Sequence, residues 1–137
     1  MNIIIRKYKE EDLDDVNKLL KESFNITKNN FNVDNFTELV ATISNQVVGY
    51  LLLTKIYNPI KDIYYFHIDY VCVLSSYRGL GIGKKLLDYV DELSNQENIS
   101  YIELTSNYQR IAAHKLYEKC GYIKPDTTLF RKYFNEN

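Results

Sequence analysis

Apolar residues recur along this chain with two different spacings, and each spacing predicts one kind of element. Branched, apolar runs predict strands over residues 2–8, 39–44, 47–57, 62–74, 99–105, 122–124 and 128–134. Apolar residues three and four positions apart predict helices over 10–24, 79–96 and 110–120, with a short further helix near 34–39. Tight turns are predicted at Asn45-Gln46, Asn58-Pro59 and Pro125-Asp126.

The order of these elements predicts the fold class. It indicates a mixed, largely antiparallel sheet of about six to seven strands with helices on both faces, in the α/β or α+β class. The run at 62–74 is almost wholly apolar, which is typical of a strand covered on both sides. Gly49 is expected to mark a bulge and Gly121 to cap the last helix. The length of 137 residues suits a single domain over 1–137.

A glycine-rich turn between the long strand and the second helix is the most informative stretch of the sequence. Ser75-Ser76 end the apolar run, and Gly79, Gly81 and Gly83 follow at every second position. Backbone N–H groups at a helix N-terminus attract anions, and glycine lets the backbone approach a ligand closely. The turn therefore predicts a phosphate-bearing ligand.

Two common phosphate-binding motifs do not fit the spacing of this turn. A P-loop would need glycine where Arg78 stands and serine or threonine where Lys85 stands. A dinucleotide fingerprint that starts at Gly81 would need glycine in place of Leu86. The segments on either side of the turn must therefore identify the ligand.

Three blocks in the right order make the chain resemble the GCN5-related N-acetyltransferases, the GNAT superfamily. Residues 78–83, RGLGIG, resemble the family's turn, and residues 68–73 resemble its fourth strand. Residues 113–122, AHKLYEKCGY, resemble the family's A-x-x-[FL]-Y-E-K-x-G-[FY] segment. The resemblance covers nearly the whole chain and implies the GNAT-like acyl-CoA acyltransferase fold. The sequence of residues 110–117 is similar to the matching segment of single-domain members that act on small molecules.

The resemblance implies acetyl-CoA as the co-substrate. Backbone N–H groups of the turn would surround its pyrophosphate, and strand pairing would splay beside its pantetheine arm. A backbone N–H near Val73 would stabilise the oxyanion on the thioester carbonyl. An ordinary tight turn and ordinary core strand residues are the alternatives. The implied cofactor-binding residues are Val71, Cys72, Val73, Arg78, Gly79, Leu80, Gly81, Ile82, Gly83 and Lys84.

Two residues are implied to act on the reacting groups. Tyr117 matches the family tyrosine that protonates or hydrogen-bonds the departing thiolate, although its place on an apolar helix stripe also suits a core residue. Asp69 is the candidate base, because an alkylammonium of pKa about 10.4 must lose a proton before it attacks. On a regularly alternating strand it would share a face with Val71 and Val73. The alternatives are His67 as the base and an ion-paired Asp69.

One position departs from the family pattern. Many members carry asparagine three residues before the helix alanine, where it contacts the cofactor, and Arg110 stands there in this chain. Asn107 lies close by in the sequence. Which of the two contacts the cofactor stays open.

Charge and composition limit the kinds of binding partner that we expect for this protein. A formal net charge of −1 gives no long-range field toward nucleic acid or an acidic membrane. Cys72 and Cys120 lie in apolar patterns, which predicts buried reduced thiols and no metal site. No signal-peptide pattern or membrane-spanning run is evident, so a cytoplasmic protein is expected. The abundance of Asn, Ile, Lys and Tyr is typical of an AT-rich bacterial genome.

The sequence thus favours direct acetyl transfer, within a ternary complex, to a primary amine of a small molecule. The acceptor pocket is expected from residues 24–36 and 125–130, where acids are few and nothing indicates a polycation. A non-catalytic acyl-CoA-binding sensor on the same fold and a protein N-acetyltransferase are the alternatives. A monomer and a homodimer formed through the C-terminal strands are both compatible with the sequence.

Overall fold

Five strands and three α-helices follow one another in the computed structural model, which describes residues 1–29 and 36–135. The strands are β1 (Ile3–Lys7), β2 (Phe36–Ile43), β3 (Gln46–Asn58), β4 (Ile63–Val73) and β5 (Ile102–Leu104). The helices are α1 (Leu13–Phe24), α2 (Ile82–Gln96) and α3 (Ile111–Lys119). Within the described part of the chain, no helix combines the length and apolar content needed to cross a bilayer.

The strands form one sheet in the order in which they occur along the chain. β1, β2, β3 and β4 pair with their neighbours in antiparallel fashion. The chain then crosses over through α2, and β5 pairs with β4 in parallel. The predicted mixed, largely antiparallel sheet is confirmed.

Helices cover both faces of the sheet, as predicted. On one side, which we call the α1 face, Val16 and Leu19 of α1 pack with Val40 and Cys72 of the strands. The opposite side, the α2 face, holds a larger core that includes one residue of α3. Its fully or nearly buried members are Leu39, Ala41, Val48, Leu51, Leu53, Phe66, Ile68, Val71, Ile82, Leu86, Leu87, Val90 and Tyr117.

Gly49 lets the start of α2 lie close to β3. A Cβ at this position would lie 2.9 Å from Cγ2 of Ile82 and 3.2 Å from Cδ1 of Leu86. The pairing of β2 with β3 also shifts register beside Gly49, where Ala41 is its partner, and this confirms the expected bulge. The helix that follows the glycine-rich turn is therefore seated directly on the sheet.

An ion pair ties β1 to the start of α1. Nη1 and Nη2 of Arg6 donate to Oδ2 and Oδ1 of Asp12 at 2.7 and 2.9 Å. The N–H of Lys9 donates to Oδ2 of Asp12 at 2.8 Å. Asp12 is only 4% exposed, yet the hydrogen bonds from Arg6 hold the pKa of its carboxyl below the usual value. The junction is thus fixed by a charge that burial alone would disfavour.

The two predicted closing strands, at 122–124 and 128–134, are wrong, and the sheet has five strands rather than six to seven. The described residues beyond α3 contain turns and irregular backbone but no strand. β5 has only three residues and offers a short edge for further pairing. Five large apolar side chains of this segment stay exposed by 65 to 89%, namely Ile123, Leu129, Phe130, Tyr133 and Phe134. Gly121, with φ of 90°, ends α3 as predicted.

Two smaller predictions about the first half of the chain also change. β2 begins at Phe36, so the helix predicted near 34–39 is wrong over its described residues, and residues 30–35 lie outside the described part. The turn after β2 comes one residue earlier than predicted. Ser44 and Asn45 have φ of 49° and 65°, and Ile43 pairs with Gln46, as in a two-residue hairpin turn.

Candidate active site

β4 and β5 pair only near their starts, which leaves a free edge along the second half of β4. Pairing joins Phe66, His67 and Ile68 to β5, whereas β4 continues to Val73. Among the described strands, none pairs with this side of β4 at residues 71–73. Main-chain groups at such an edge can bond a ligand, and the separation of the two strands is the one that the resemblance implies.

Two arginine side chains lie at this free edge. Nη2 of Arg110 donates to the carbonyl of Val71 at 3.3 Å, and Nε of Arg78 donates to the carbonyl of Val73 at the same distance. The side chain of Arg78 is 61% exposed and also lies 4.0 Å from Glu22. The edge of β4 therefore has positive charge at both of these carbonyls.

The glycine-rich turn has the backbone conformation of an anion cradle. Gly79 and Gly81 have φ of 80° and 81°, which other residues rarely adopt. The carbonyl of Gly81 accepts from the N–H of Lys85 at 3.1 Å in the first helical bond of α2. The N–H groups that precede Lys85 have no partner within the helix, and the helix dipole adds partial positive charge there.

The side chains of the turn differ in what they contact. Leu80 is 41% exposed, whereas Ile82 is 2% exposed and belongs to the α2-face core. Nζ of Lys84 lies 2.7 Å from Oδ2 of Asp88, and this hydrogen bond raises the pKa of Lys84. Lys84 keeps its charge but shares it with Asp88, so the backbone of residues 79–84 is the main anion-binding element.

Gly83 has a different purpose from the two glycines before it. A Cβ at Gly83 would lie 2.8 Å from Cδ2 of Leu116, so its missing side chain lets α3 pack on the first turn of α2. Leu116 is the neighbour of Tyr117 in α3. This contact therefore positions the candidate acid beside the glycine-rich turn.

Tyr117 is 6% exposed and belongs to the same core as Val71. Its ring meets the ring of Tyr122 edge-on, with centroids 6.1 Å apart. Burial raises the pKa of Tyr117, while the charge of Arg110 and a hydrogen bond from it act in the opposite direction. The phenol is therefore protonated at neutral pH and has a guanidinium beside it.

Arg110 connects Tyr117 with the free edge of β4. Its guanidinium carbon lies 5.0 Å from the ring centroid of Phe24 in α1, in addition to its bond to Val71. Asn107 is engaged locally instead. Its Oδ1 accepts from the N–H of Gln109 at 2.9 Å, and its carbonyl lies 2.9 Å from Nε2 of His114. Of the two residues left open by the sequence, Arg110 is the one at the edge of β4.

A bulge at Tyr70 interrupts the alternation of β4. Leu52 pairs with Asp69, and two residues earlier on β3 Tyr50 pairs with Cys72, so β4 contains one extra residue between these pairs. Tyr70 has φ of 58°, which is rare for a bulky residue. An extra residue in a strand reverses which face the following side chains meet.

The expectation that Asp69 shares a face with Val71 and Val73 is therefore wrong. Val71 belongs to the α2-face core, and Val73 packs against it. Leu52, the partner of Asp69, packs against the α1-face core. Asp69 thus lies on the α1 face, and Tyr117 lies on the α2 face. The part of β4 that does not pair with β5 begins at Asp69, after Ile68.

Both candidate bases form one hydrogen-bonded pair. Nε2 of His67 lies 3.3 Å from Oδ1 of Asp69, and its Nδ1 lies 3.8 Å from Oε1 of Glu103. Glu103 is the register partner of His67 on β5 and was not among the residues predicted from the sequence. The side chain of Asp69 is 39% exposed, so a ligand can reach this pair from the solvent.

A cleft of about 650 Å³ opens on the α1 face next to the bulge. Among its walls are the residues after α1, the start of β2, and Leu52 and Tyr70. The acceptor region predicted at 24–36 contributes Ile26 and Phe36, although residues 30–35 lie outside the described part of the chain. The second predicted acceptor segment, 125–130, contributes none of the described residues that line it.

Two acids line this cleft, exposed Glu10 and partly buried Glu38, and neither was among the residues predicted from the sequence. Oη of Tyr50 donates to Oε1 of Glu38 at 2.7 Å, and Nζ of Lys28 lies 2.9 Å from the same oxygen. The ammonium of Lys28 also lies 3.8 Å from the ring centroid of Tyr8. Glu38 alternates with Val40 on an inward face of β2, and an acid at such a position was a signal available in the sequence.

Comparison with known sequences relates this arrangement to one family. The sequence profile described as "Acetyltransferase (GNAT) family" matches residues 2–122. An uncharacterized N-acetyltransferase of Methanocaldococcus jannaschii is 31% identical over 141 residues. That alignment covers 98% of this chain and 85% of the archaeal protein. Both matches extend across the turn and the strand edge described above.

Solved structures share the fold at low sequence identity. A ribosomal-protein-alanine N-acetyltransferase from Brucella melitensis has a TM-score of 0.83 and 18% identity, with 97% of this chain and all of that chain covered. An aminoglycoside acetyltransferase from an uncultured soil metagenomic sample has a TM-score of 0.80 and 19% identity, with 98% and 97% covered. The same backbone therefore occurs in proteins named for different acceptors.

Proposed function

The chain belongs to the GNAT family of acetyltransferases, and we propose that it transfers an acetyl group from acetyl-CoA to a primary amine of a small molecule. The observation that carries the proposal is the free edge of β4, with the glycine-rich turn at its end. Tyr117 lies on one face of the sheet beside this edge, and Asp69 lies on the other. Donor-binding groups and two proton-transfer groups thus occupy one region.

The residues at this edge suit acetyl-CoA. Backbone N–H groups of residues 79–84 would hold its pyrophosphate, and main-chain groups of residues 71–73 would bond its pantetheine amides. The hydroxyl of Ser106, two residues after β5, is buried without a hydrogen-bond partner in the described structure, which leaves a polar group for a ligand to satisfy. When bound, acetyl-CoA supplies a thioester carbonyl and a thiolate leaving group.

On the α1 face, the Asp69–His67 pair receives the proton of the acceptor ammonium. Asp69 is the exposed member and meets the amine directly or through a water molecule. The hydrogen bond to His67 holds the carboxylate in place, and Glu103 lies on the far side of the same imidazole.

On the α2 face, the Tyr117 hydroxyl supplies a proton or a hydrogen bond to the leaving thiolate. The Arg110 guanidinium, at the edge of β4, adds positive charge beside this hydroxyl, where negative charge develops during the reaction. A free thiol has a pKa of about 8.5 and an ordinary phenol about 10, so a strong hydrogen bond is sufficient here.

A peptide amine is the second candidate acceptor. The Brucella melitensis structure is named for acetylating an alanine of a ribosomal protein, and it shares this backbone. A non-catalytic acyl-CoA sensor is less well supported, because binding alone does not require the Asp69–His67 pair or the Tyr117–Arg110 pair.

The proposal is tested by thiol release from acetyl-CoA in the presence of three acceptors: an alkylamine, an aminoglycoside and a peptide with an N-terminal alanine. We expect turnover of at least one small amine, and a large loss of kcat in Asp69→Asn. Glu97→Gln, which alters an exposed acid paired with Lys55, is the matched control and keeps full activity.

Calorimetric titration with acetyl-CoA separates the possible outcomes. Binding with no turnover of any acceptor would contradict the enzyme and support the sensor. Turnover of the peptide alone would support the protein N-acetyltransferase.

A further inference from the structure

We infer that the cleft beside Glu38 binds a second ammonium group of the acceptor, so that diamines and polyamines are the preferred substrates. This inference rests on the proposed function, because it specifies the acceptor class at the same site. It was not expected from the sequence, in which nothing in the acceptor segments indicated a polycation.

An ammonium group of the chain itself already occupies this position. Nζ of Lys28 lies 2.9 Å from Oε1 of Glu38 and 3.8 Å from the ring centroid of Tyr8. A carboxylate together with an aromatic face is a favourable environment for an ammonium on a flexible alkyl chain. The side chain of Lys28 is 15% exposed, so this ammonium has left most of its water. A diamine presents the same chemical group and can replace it.

The register of the sheet aligns Glu38 with Asp69. Glu38 pairs with Leu52, and Leu52 pairs with Asp69, so the three residues form one row across β2, β3 and β4. Neighbouring strands lie about 4.8 Å apart, which puts the backbones of the two acids roughly 10 Å apart. All three residues lie on the α1 face. One amine at Glu38 would thus direct a second amine on a short alkyl chain toward Asp69.

The surface next to both acids can cover an alkyl chain. Leu52, which lies between Glu38 and Asp69 in the register, and Tyr70, which follows Asp69 in β4, both line the cleft and can cover methylenes. Tyr50 holds Glu38 in place through its 2.7 Å hydrogen bond. Lys7 and Lys9 at the rim are exposed, where solvent and salt screen their charge.

The inference is tested by comparing cadaverine with pentylamine, which differ by one terminal ammonium group. We expect kcat/KM for cadaverine to exceed that for pentylamine by about tenfold or more, as for one added charged contact. Glu38→Gln retains an oxygen for the Tyr50 hydroxyl but removes the charge. It should raise KM for cadaverine toward that for pentylamine, and it should lower kcat/KM for pentylamine by a clearly smaller factor than kcat/KM for cadaverine.

Lys28→Met supplies a second, independent variant. It keeps the length of the side chain but removes the ammonium that competes for Glu38, so KM for cadaverine should fall. A rise in KM for cadaverine in Lys28→Met would contradict the replacement of Lys28 by substrate. Glu97→Gln serves again as the control, and thermal denaturation checks that each variant is folded.

The outcomes distinguish this inference from the proposed function. Equal kcat/KM for cadaverine and pentylamine, or an equal loss for both in Glu38→Gln, overturns the diamine preference but leaves an amine acetyltransferase. Turnover of a peptide amine without either small amine also overturns it. Failure of every acceptor, despite binding of acetyl-CoA, contradicts the proposed function itself.

Discussion

At the scale of single residues, the pairing of Tyr117 with Arg110 is the main electrostatic feature of the site. A buried phenol resists ionisation, and a neighbouring guanidinium partly offsets that resistance. The hydroxyl consequently stays protonated through the neutral and mildly alkaline range while its oxygen sits in a positive field. Both properties favour a group that must donate to a thiolate.

Tyr117→Phe removes this donor without changing the shape of the core. We expect kcat to fall about 10- to 100-fold, at or below the lower end of general acid catalysis, because a thiolate is already a good leaving group. KM for acetyl-CoA should change little. Steady-state thiol release measures both constants.

Tyr122→Phe is the matched control for this substitution. The two rings touch, but the buried hydroxyl of Tyr122 has no hydrogen-bond partner in the described structure, so its removal should be neutral or slightly stabilising. Equal losses of kcat in both variants would indicate that packing, rather than proton donation, explains the effect.

The sequence predicted a candidate site residue only where that residue lies in a motif or stands out in its own strand. Tyr117 and the glycine-rich turn lie in sequence motifs shared with a family, and Asp69 stands out as a charge in an apolar strand. Glu38 and Glu103 become candidate site residues only through their partners on other strands. Their relation to Asp69 and His67 depends on strand register, which no local pattern records.

At the scale of elements, the junction between β1 and α1 depends on the Arg6–Asp12 pair. Because the folded-state pKa of Asp12 is lowered, its contribution is fully present above the unfolded pKa of about 3.9. It is lost as pH falls through the still lower folded value. The stability of the protein should therefore decrease in acid partly through this junction.

Asp12→Asn tests the junction. At neutral pH we expect the free energy of unfolding to fall by about 1.5 to 3 kcal/mol, the usual range for a hydrogen bond to a charged group. The difference from the parent should shrink as pH falls below the unfolded pKa of about 3.9 and through the lower folded value, because the parent's carboxyl then also becomes protonated. Urea denaturation at several pH values measures this, with exposed Asp14→Asn as control. A difference that is independent of pH would contradict the assignment.

Elements with a strong local signal were predictable, and those that depend on a neighbour were not. The helices, the long strands and the turn at Gly79 follow from periodicity and glycine placement. The closing strands at 122–124 and 128–134 have strand-like composition, but β5 supplies too short an edge for them. The bulge at Tyr70 carries no signal, because tyrosine is an unusual choice for a positive φ.

At the scale of the whole molecule, the reactivity of the two cysteines measures how often the two cores open, because Cys72 lies in the α1-face core and Cys120 packs against the α2-face core. Cys72 is 4% exposed beneath α1, and burial raises the pKa of its thiol to about 12. Burial also raises the pKa of Cys120, which is only half-buried beyond α3. Reaction of Cys72 with a thiol reagent requires α1 to separate from the sheet.

We therefore expect native protein to react slowly at both thiols, and much more slowly at Cys72 than at Cys120. Saturating acetyl-CoA should slow the Cys72 reaction further, because binding to the folded state suppresses opening. Timed labelling followed by mass spectrometry checks this, and Cys120→Ser assigns the slow phase. Labelling of Cys72 at the rate of an unfolded control would contradict the buried placement.

The extra residue at Tyr70 also has a consequence for how such a protein can diversify. Under the proposed function, it divides the strand so that residues before it would meet the acceptor and residues after it would meet the donor. Substitutions around the cleft can then change which amine is modified while the thioester-binding half stays intact. A copied gene could acquire a new acceptor through changes in one half of the molecule, with the acetyl donor inherited unaltered.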